Sequence, residues 1–365
     1  MSDKNIHAFD ICCSRGACGS IRAGEVNFII LRRTKVKVMP IRLILILAVS
    51  VFMMAVYGCS EEDLIKPEPE PESIWEEIQG IGSGAIDVMK FDYQDNLYVL
   101  KHNNKKVLFR SPDYGTTWAK TDTVSVDTTY VGNISSFCFS GDDLLVGTRE
   151  GKIFISSDNG NVFTLVDSIG RPQLRDIRHM ECSPDGYIFA AVYGQAVYRA
   201  EHPDSSWLMF GSLIENKDIT TMEIDSDGCI YLGCWAGDSY KSCDNGETWQ
   251  ALKKIEDYEL STITALDKGN HDELVCSFTD GFAVYRGDSA WVIKNAGFPG
   301  GNSDIRCLGL TSEDKIYAGT IYDGVFRATW GVWEWTPLNE GLALAELKVT
   351  NIVIDSQDRV YIGTV

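Results

Sequence analysis

One hydrophobic phrase recurs along the chain. An aliphatic residue is followed by two variable positions, then hydrophobics, a polar turn and a second short apolar run. The phrase begins at Ile86, Ile134, Ile177, Ile219, Ile263, Ile305 and Val349, at spacings of 48, 43, 42, 44, 42 and 44 residues. Its turns include Asp92-Tyr-Gln-Asp95, Ser183-Pro-Asp-Gly186 and Asp225-Ser-Asp-Gly228, and they lead into runs such as Ile316-Tyr-Ala-Gly-Thr320. A third run often ends in an aromatic-arginine pair, as at Phe109-Arg110, Tyr198-Arg199, Tyr285-Arg286 and Phe326-Arg327, and a fourth opens on tryptophan. Short alternating runs bounded by Gly and Asp read as strands, and four of them per repeating unit read as a propeller blade. No stretch sustains a helical period, which excludes helical solenoids. The pattern predicts an all-β, seven-bladed β-propeller of four-stranded antiparallel blades over residues 74–365.

The last unit is short. The sequence ends at Val365, two strands into the seventh phrase. The segment Trp75-Glu-Glu-Ile-Gln-Gly80 is similar to the fourth strand that opens at Trp335, so an N-terminal strand is expected to close the last blade. Strand three is then missing. Either the Trp75 strand moves inward to make a three-stranded blade, or the blade is incomplete and carries an unpaired edge open to aggregation.

Three hairpins between third and fourth strands share one spelling, S-x-D-x-G-x-x-aromatic. They are Ser111, Asp113, Gly115 and Trp118; Ser156, Asp158, Gly160 and Phe163; and Ser242, Asp244, Gly246 and Trp249. Ser and Asp side chains can cap turn amides, and Gly takes the positive-φ position. The spelling resembles the Asp-box (BNR) repeat of sialidases, sortilin-type receptors, xyloglucanases and a photosystem II assembly factor. That resemblance implies structural turns on the face away from the binding site. The phrase Ile-Thr-x-Met-x-Ile-Asp-x-Asp-Gly also resembles the regulator propellers of bacterial sensor kinases.

The opposite face then carries the candidate ligand groups. Loops between second and third strands hold Arg149, Tyr193, Trp235, Asp280, Tyr322 and Asp323, while Arg178 and Arg306 sit near the start of first strands. Exposed aromatics at a propeller mouth can stack on sugar rings or anchor a peptide. Tyr193, Trp235 and Tyr322, with Asp280 and Asp323, are therefore the candidate ligand-binding residues. The leading expectation is a non-catalytic module that binds a glycan or a protein partner. The alternative is a sialidase-type glycoside hydrolase in which Arg149, Arg178 and Arg306 clamp a carboxylate, although the Arg-Ile-Pro motif of that family is missing. A second alternative is an extracytoplasmic sensor or assembly factor.

Charge divides the chain. Residues 1–58 carry eight Lys/Arg and three Asp/Glu, while 59–365 carry 25 and 49, a net of −24. So acidic a surface repels a phosphate backbone, and no nucleic-acid partner is expected. Leu43–Tyr57 is an uncharged run of fifteen residues behind Arg42, short for a membrane span but suited to a signal-peptide core. It ends in Val56-Tyr57-Gly58-Cys59, which resembles a bacterial lipobox with Cys59 as the lipidated residue. The acidic, proline-rich tether over 59–73 resembles the export signal of surface lipoproteins in the Bacteroidota. The expected organisation is an N-terminal extension over 1–38 ahead of a true start at Met39, a signal peptide over 39–58, the tether, and the propeller. The expected address is the outer membrane of a Gram-negative envelope, through a lipid anchor. The seven cysteines beyond Cys59 form no C-x-x-C pair; several occupy buried strand slots and read as small hydrophobes, the odd count leaves at least one unpaired, and the five histidines are scattered. No metal and no cofactor are expected.

Overall fold

A computed structural model describes residues 31–34, 75–103, 105–121, 133–173, 175–255, 261–268, 273–285, 290–301 and 303–365. Cys59, the apolar run before it and the tether lie outside the described residues. Six blades are each built from four consecutive antiparallel strands. Their first strands are Ala85–Phe91, Ile134–Ser140, Ile177–Cys182, Ile219–Ile224, Ile263–Asp267 and Ile305–Leu310. Second strands such as Ile188–Val192, Ile230–Cys234 and Leu274–Phe278 are buried at every position, because neighbouring blades cover both faces.

Blade contact rests on small residues near the ends of those second strands. A Cβ at Gly147 would stand 2.7 Å from Ile177 Cγ2, one at Gly233 2.5 Å from Ile263 Cγ2, and one at Gly319 2.6 Å from Val349 Cγ1. The recurring glycine thus seats the aliphatic residue that opens the next first strand. Only a residue without Cβ lets the backbones approach so closely.

The expectation of seven like blades is corrected to six. The seventh phrase supplies only Val349–Ile354 and Val360–Thr364, and these lie in a composite sheet whose strand order runs Trp75–Ile78, Leu31–Thr34, Val360–Thr364, Val349–Ile354. Neither expected arrangement of its edge occurs. The Trp75 strand keeps the outer place, and Leu31–Thr34 fills the third, pairing Leu31 with Gly363 on one side and Ile78 on the other. A distant segment can fill this slot because strand pairing needs only backbone groups in register, not a neighbouring stretch of chain. Trp75 is buried and its indole N–H donates to Leu338 O at 2.7 Å, tying the composite sheet to blade six. Thr350 Oγ1 donates to Ile86 O at 3.2 Å and Asn351 Nδ2 donates to the same carbonyl at 3.0 Å, tying it to blade one.

The three hairpins of shared spelling have one hydrogen-bond frame. Ser111 Oγ donates to Asp113 Oδ1 at 2.8 Å and accepts from Gly115 N at 2.7 Å, while Asp113 Oδ1 accepts from Thr117 N at 2.7 Å. Ser156, Asp158 and Gly160 repeat these contacts, as do Ser242, Asp244 and Gly246. Gly115, Gly160 and Gly246 take positive φ, and so do Tyr114, Asn159 and Asn245 before them. These turns meet the turns between first and second strands: Asn245 Nδ2 donates to Asp185 Oδ2 at 3.2 Å, and the Arg359 guanidinium lies 3.7 Å over the Tyr114 ring. The sequence left the pairing of the later cysteines open. Cys229 and Cys243 are disulfide-bonded within blade four, whereas Cys138, Cys182, Cys234, Cys276 and Cys307 are free thiols.

If Trp75 closes the ring, Trp75→Ala should lower the unfolding free energy by about 3–5 kcal/mol, the usual cost of deleting a buried aromatic. Trp75→Phe keeps most of the packing and should cost about 1 kcal/mol for the lost indole bond. Urea unfolding of the whole chain measures both, and an alanine variant as stable as its parent would rule this closure out.

Candidate functional site

Every first strand, that of the composite sheet included, carries a register shift just after its opening residue. The shift falls between Ile86 and Val88, Ile134 and Ser136, Ile177 and His179, Ile219 and Thr221, Ile263 and Ala265, Ile305 and Cys307, and Val349 and Asn351. A bulge bends its strand and re-aims the extra residue. Here that residue is Asp87, Ser135, Arg178, Thr220, Thr264, Arg306 or Thr350. The hydroxyl residues reach the next strand around the axis: Ser135 Oγ donates to Ile177 O at 2.6 Å, Thr220 Oγ1 to Ile263 O at 2.5 Å and Thr264 Oγ1 to Ile305 O at 2.6 Å. Asp87, Arg178 and Arg306 stand where a hydroxyl would otherwise be.

These three charged residues line one axial cavity of about 530 Å³, together with Arg149. The structure thereby brings Arg149, Arg178 and Arg306 into a single space. Two of their charges are met locally. Arg178 Nε is 3.3 Å from Asp176 Oδ2, and Arg306 Nη2 is 2.8 Å from Asp304 Oδ2. Asp87 is countered by Lys106 Nζ at 2.9 Å. Arg149 is exposed and has no ion pair among the described residues.

Deeper in the same cavity lie Lys90, His179, Glu181 and Glu223. Lys90 Nζ donates to Glu181 Oε1 at 2.5 Å and to Met180 O at 3.0 Å. Burial disfavours the Lys90 ammonium, but the Glu181 carboxylate outweighs it and raises the pKa. Burial and the Lys90 charge pull His179 down to about 4. The Glu223 pKa is pushed well up, first by burial and then by repulsion from Asp267 and Glu181. Sequence reasoning missed Lys90, Glu181 and Glu223. The available signal was a column four residues after each opening aliphatic, which reads Lys, Cys, Glu, Glu, Asp, Gly and Val.

The rim of this face is built by a second repeated bond. In six of the seven sheets the residue after the second strand donates its N–H to the carbonyl preceding the first strand of the same sheet, as Arg149 to Asn133 at 3.1 Å, Tyr193 to Asp176 at 2.9 Å and Trp235 to Asp218 at 2.9 Å. The cavity and these loops therefore share one face. Trp235 is 64% exposed and Tyr322 75%. The loop of Trp235 is braced by Lys217 and Lys254, which reach Asp238 at 2.8 and 3.2 Å. Tyr193 is covered by the Arg178 guanidinium, 4.1 Å from its ring centre. Asp280 and Asp323 tie their own loops, accepting from Ser261 Oγ and, at 3.1 Å, from Ser303 Oγ. Arg110 and Arg199 sit away from the mouth. Arg110 Nη2 donates to Asn96 Oδ1 at 3.0 Å, and Arg199 packs 3.8 Å over Phe210. Among the described residues no cluster of His, Cys, Asp and Glu is arranged to hold a metal ion.

No protein-family model matches the chain, and no curated protein matches it. Solved structures do resemble it. YCF48 bound to a D1 peptide superposes with a TM-score of 0.62 at 13% identity, covering 80% of this chain and 92% of that one. Virginiamycin B lyase from Staphylococcus aureus gives 0.61 at 12% identity, covering 77% and 95%. The extracellular domain of a hybrid two-component system from B. thetaiotaomicron gives 0.62 at 14% identity, covering 78% of this chain and 39% of that one. At such identities the likeness establishes the propeller fold and nothing finer.

The raised pKa of Glu223 has a consequence for stability. Its pKa is raised above the unfolded value of about 4.3, so over that window the folded chain binds the extra proton. Its contribution to stability is complete below the unfolded pKa and is lost as pH rises through the folded one. Glu223→Gln keeps the neutral shape, so the variant should gain stability over its parent on going from about pH 4 to about pH 8. His179 acts with opposite sign, losing its contribution as pH falls from about 6.5 to about 4, but it is common to both proteins. Parallel stability curves from urea unfolding would refute the raised Glu223 pKa.

Proposed function

We propose that the chain is a non-catalytic binding module that holds an extended segment of a partner protein at its axial mouth. The observation that carries this reading is the pair Trp235 and Tyr322, 64% and 75% exposed on loops at the face where the cavity opens. Large aromatics held by internally tied loops lose little conformational freedom on binding, which is what a binding anchor requires. Arg149, exposed on the same face, adds an unspent cation for a carboxylate on the partner. The YCF48 structure, which holds a D1 peptide on a similar propeller, supports the same reading. The sialidase-type alternative is weakened by its own arginines, because Asp176 and Asp304 take up the charges of Arg178 and Arg306. A lyase shares the fold, so the fold alone does not decide between binding and catalysis.

We further propose that the exported form is anchored through Cys59 at a Gram-negative envelope, supported by the apolar run and the lipobox-like end at Val56-Tyr57-Gly58-Cys59. A chain processed there would lack Leu31–Thr34, leaving the third place beside Val360–Thr364 open. Anchor and strand therefore belong to two forms of the chain.

A peptide array and a glycan array probed with the purified chain test the first reading. Peptide binding should weaken about tenfold or more in Trp235→Ala and Tyr322→Ala. Binding to glycans alone, or turnover of a sialoside, would overturn it. For the anchor, Cys59→Ala should release the protein from the membrane fraction, and retention of that variant would exclude lipidation as the tether.

A further inference from the structure

We infer that Cys138 and Cys182 are an oxidisable pair, a second disulfide site that joins blades two and three at the floor of the axial channel. The two thiols come from the first strands of adjacent blades, separated by 44 positions in sequence, and their sulfurs lie 2.8 Å apart. A disulfide spans about 2.05 Å, so closing the pair needs less than about 1 Å of movement. Both line a cavity of about 320 Å³, whose walls also include Lys90, Glu181 and Tyr93. That cavity gives a small oxidant a route to the sulfurs. Cys138 is buried, whereas Cys182 is only half-buried and is the first to be reached.

The chemistry is thiol–disulfide exchange with an external small-molecule disulfide. The Cys182 thiol loses its proton, and the thiolate attacks one sulfur of the oxidant, forming a mixed disulfide and expelling one thiolate. Cys138 then gives up its proton and attacks Cys182 Sγ, expelling the second thiolate. The two protons leave with the two expelled thiolates. The protein is oxidised by two electrons and the external disulfide is reduced to two thiols. Burial and the neighbouring Cys182 hold the Cys138 thiol well above its ordinary pKa, so the more accessible Cys182 is the first to react. Cys182 directly follows Glu181, the residue that grips Lys90. The bond therefore fixes the strand that carries the charged floor of the cavity.

Hydroxyethyl disulfide added to the folded full chain, followed by non-reducing peptide mapping, tests the assignment. The expected product links the peptides holding Cys138 and Cys182, comes apart on reduction, and is accompanied by a higher unfolding midpoint. In Cys138→Ser the reaction should stop at a mixed disulfide on Cys182. In Cys182→Ser, Cys138 should stay unmodified over the same period. Circular dichroism of both variants confirms that each has folded. Free thiols, or separate mixed disulfides at both positions of the parent chain, would overturn the assignment, as would a link from either one to Cys234.

Discussion

The bulge at the start of each first strand is the constraint around which the molecule is organised. A flat strand would turn the second residue of the phrase along the blade. The bulge turns it toward the axis, where a hydroxyl can reach the opening carbonyl of the next strand. Ser135, Thr220, Thr264 and Thr350 make that bond, and each crosses from one sheet to the next. In four of the seven sheets the opening aliphatic of the next strand also packs against a second-strand glycine, Gly147, Gly233, Gly319 or Gly363, that leaves room for it. Hydrogen bonding and close packing thus act at one point in the repeat.

Charge is placed where that pattern lapses. Asp87, Arg178 and Arg306 occupy the bulge position without a hydroxyl to offer, so their charges face the axial cavity. A local partner, Lys106, Asp176 or Asp304, offsets each charge and keeps its side chain in place. Below them the Lys90–Glu181 bridge and Glu223 share a confined space, where burial and then repulsion from Asp267 and Glu181 raise the Glu223 pKa. The aromatic rim is held by a different device, the N–H bond from the end of the second strand, so rim and floor are positioned independently.

Closure depends on segments remote in sequence. The last phrase brings two strands, and the sheet is completed by Leu31–Thr34 and Trp75–Ile78 from the other end of the chain. Trp75 both fills a core cluster and bonds to blade six. Its fourth-strand character was legible because the Trp335 strand offers a template. The third strand was not legible, because Leu31-Arg-Arg-Thr34 has no repeat partner that resembles it and it pairs with strands remote from it in sequence.

The sequence by itself determined the repeat, the strand class, the three capped hairpins and the face that carries Arg149, Trp235 and Tyr322. All of these follow from local periodicity and turn chemistry, which act within a few residues. Only the tertiary structure decided that the blades number six beside a composite sheet, that Tyr193 lies under Arg178, and that Asp280 and Asp323 serve their own loops. It alone brought Lys90, Glu181 and Glu223 together and set Cys138 against Cys182. Those outcomes depend on which strands become neighbours around the axis. Residues some 40 to 90 positions apart meet there, and no local pattern encodes their distance.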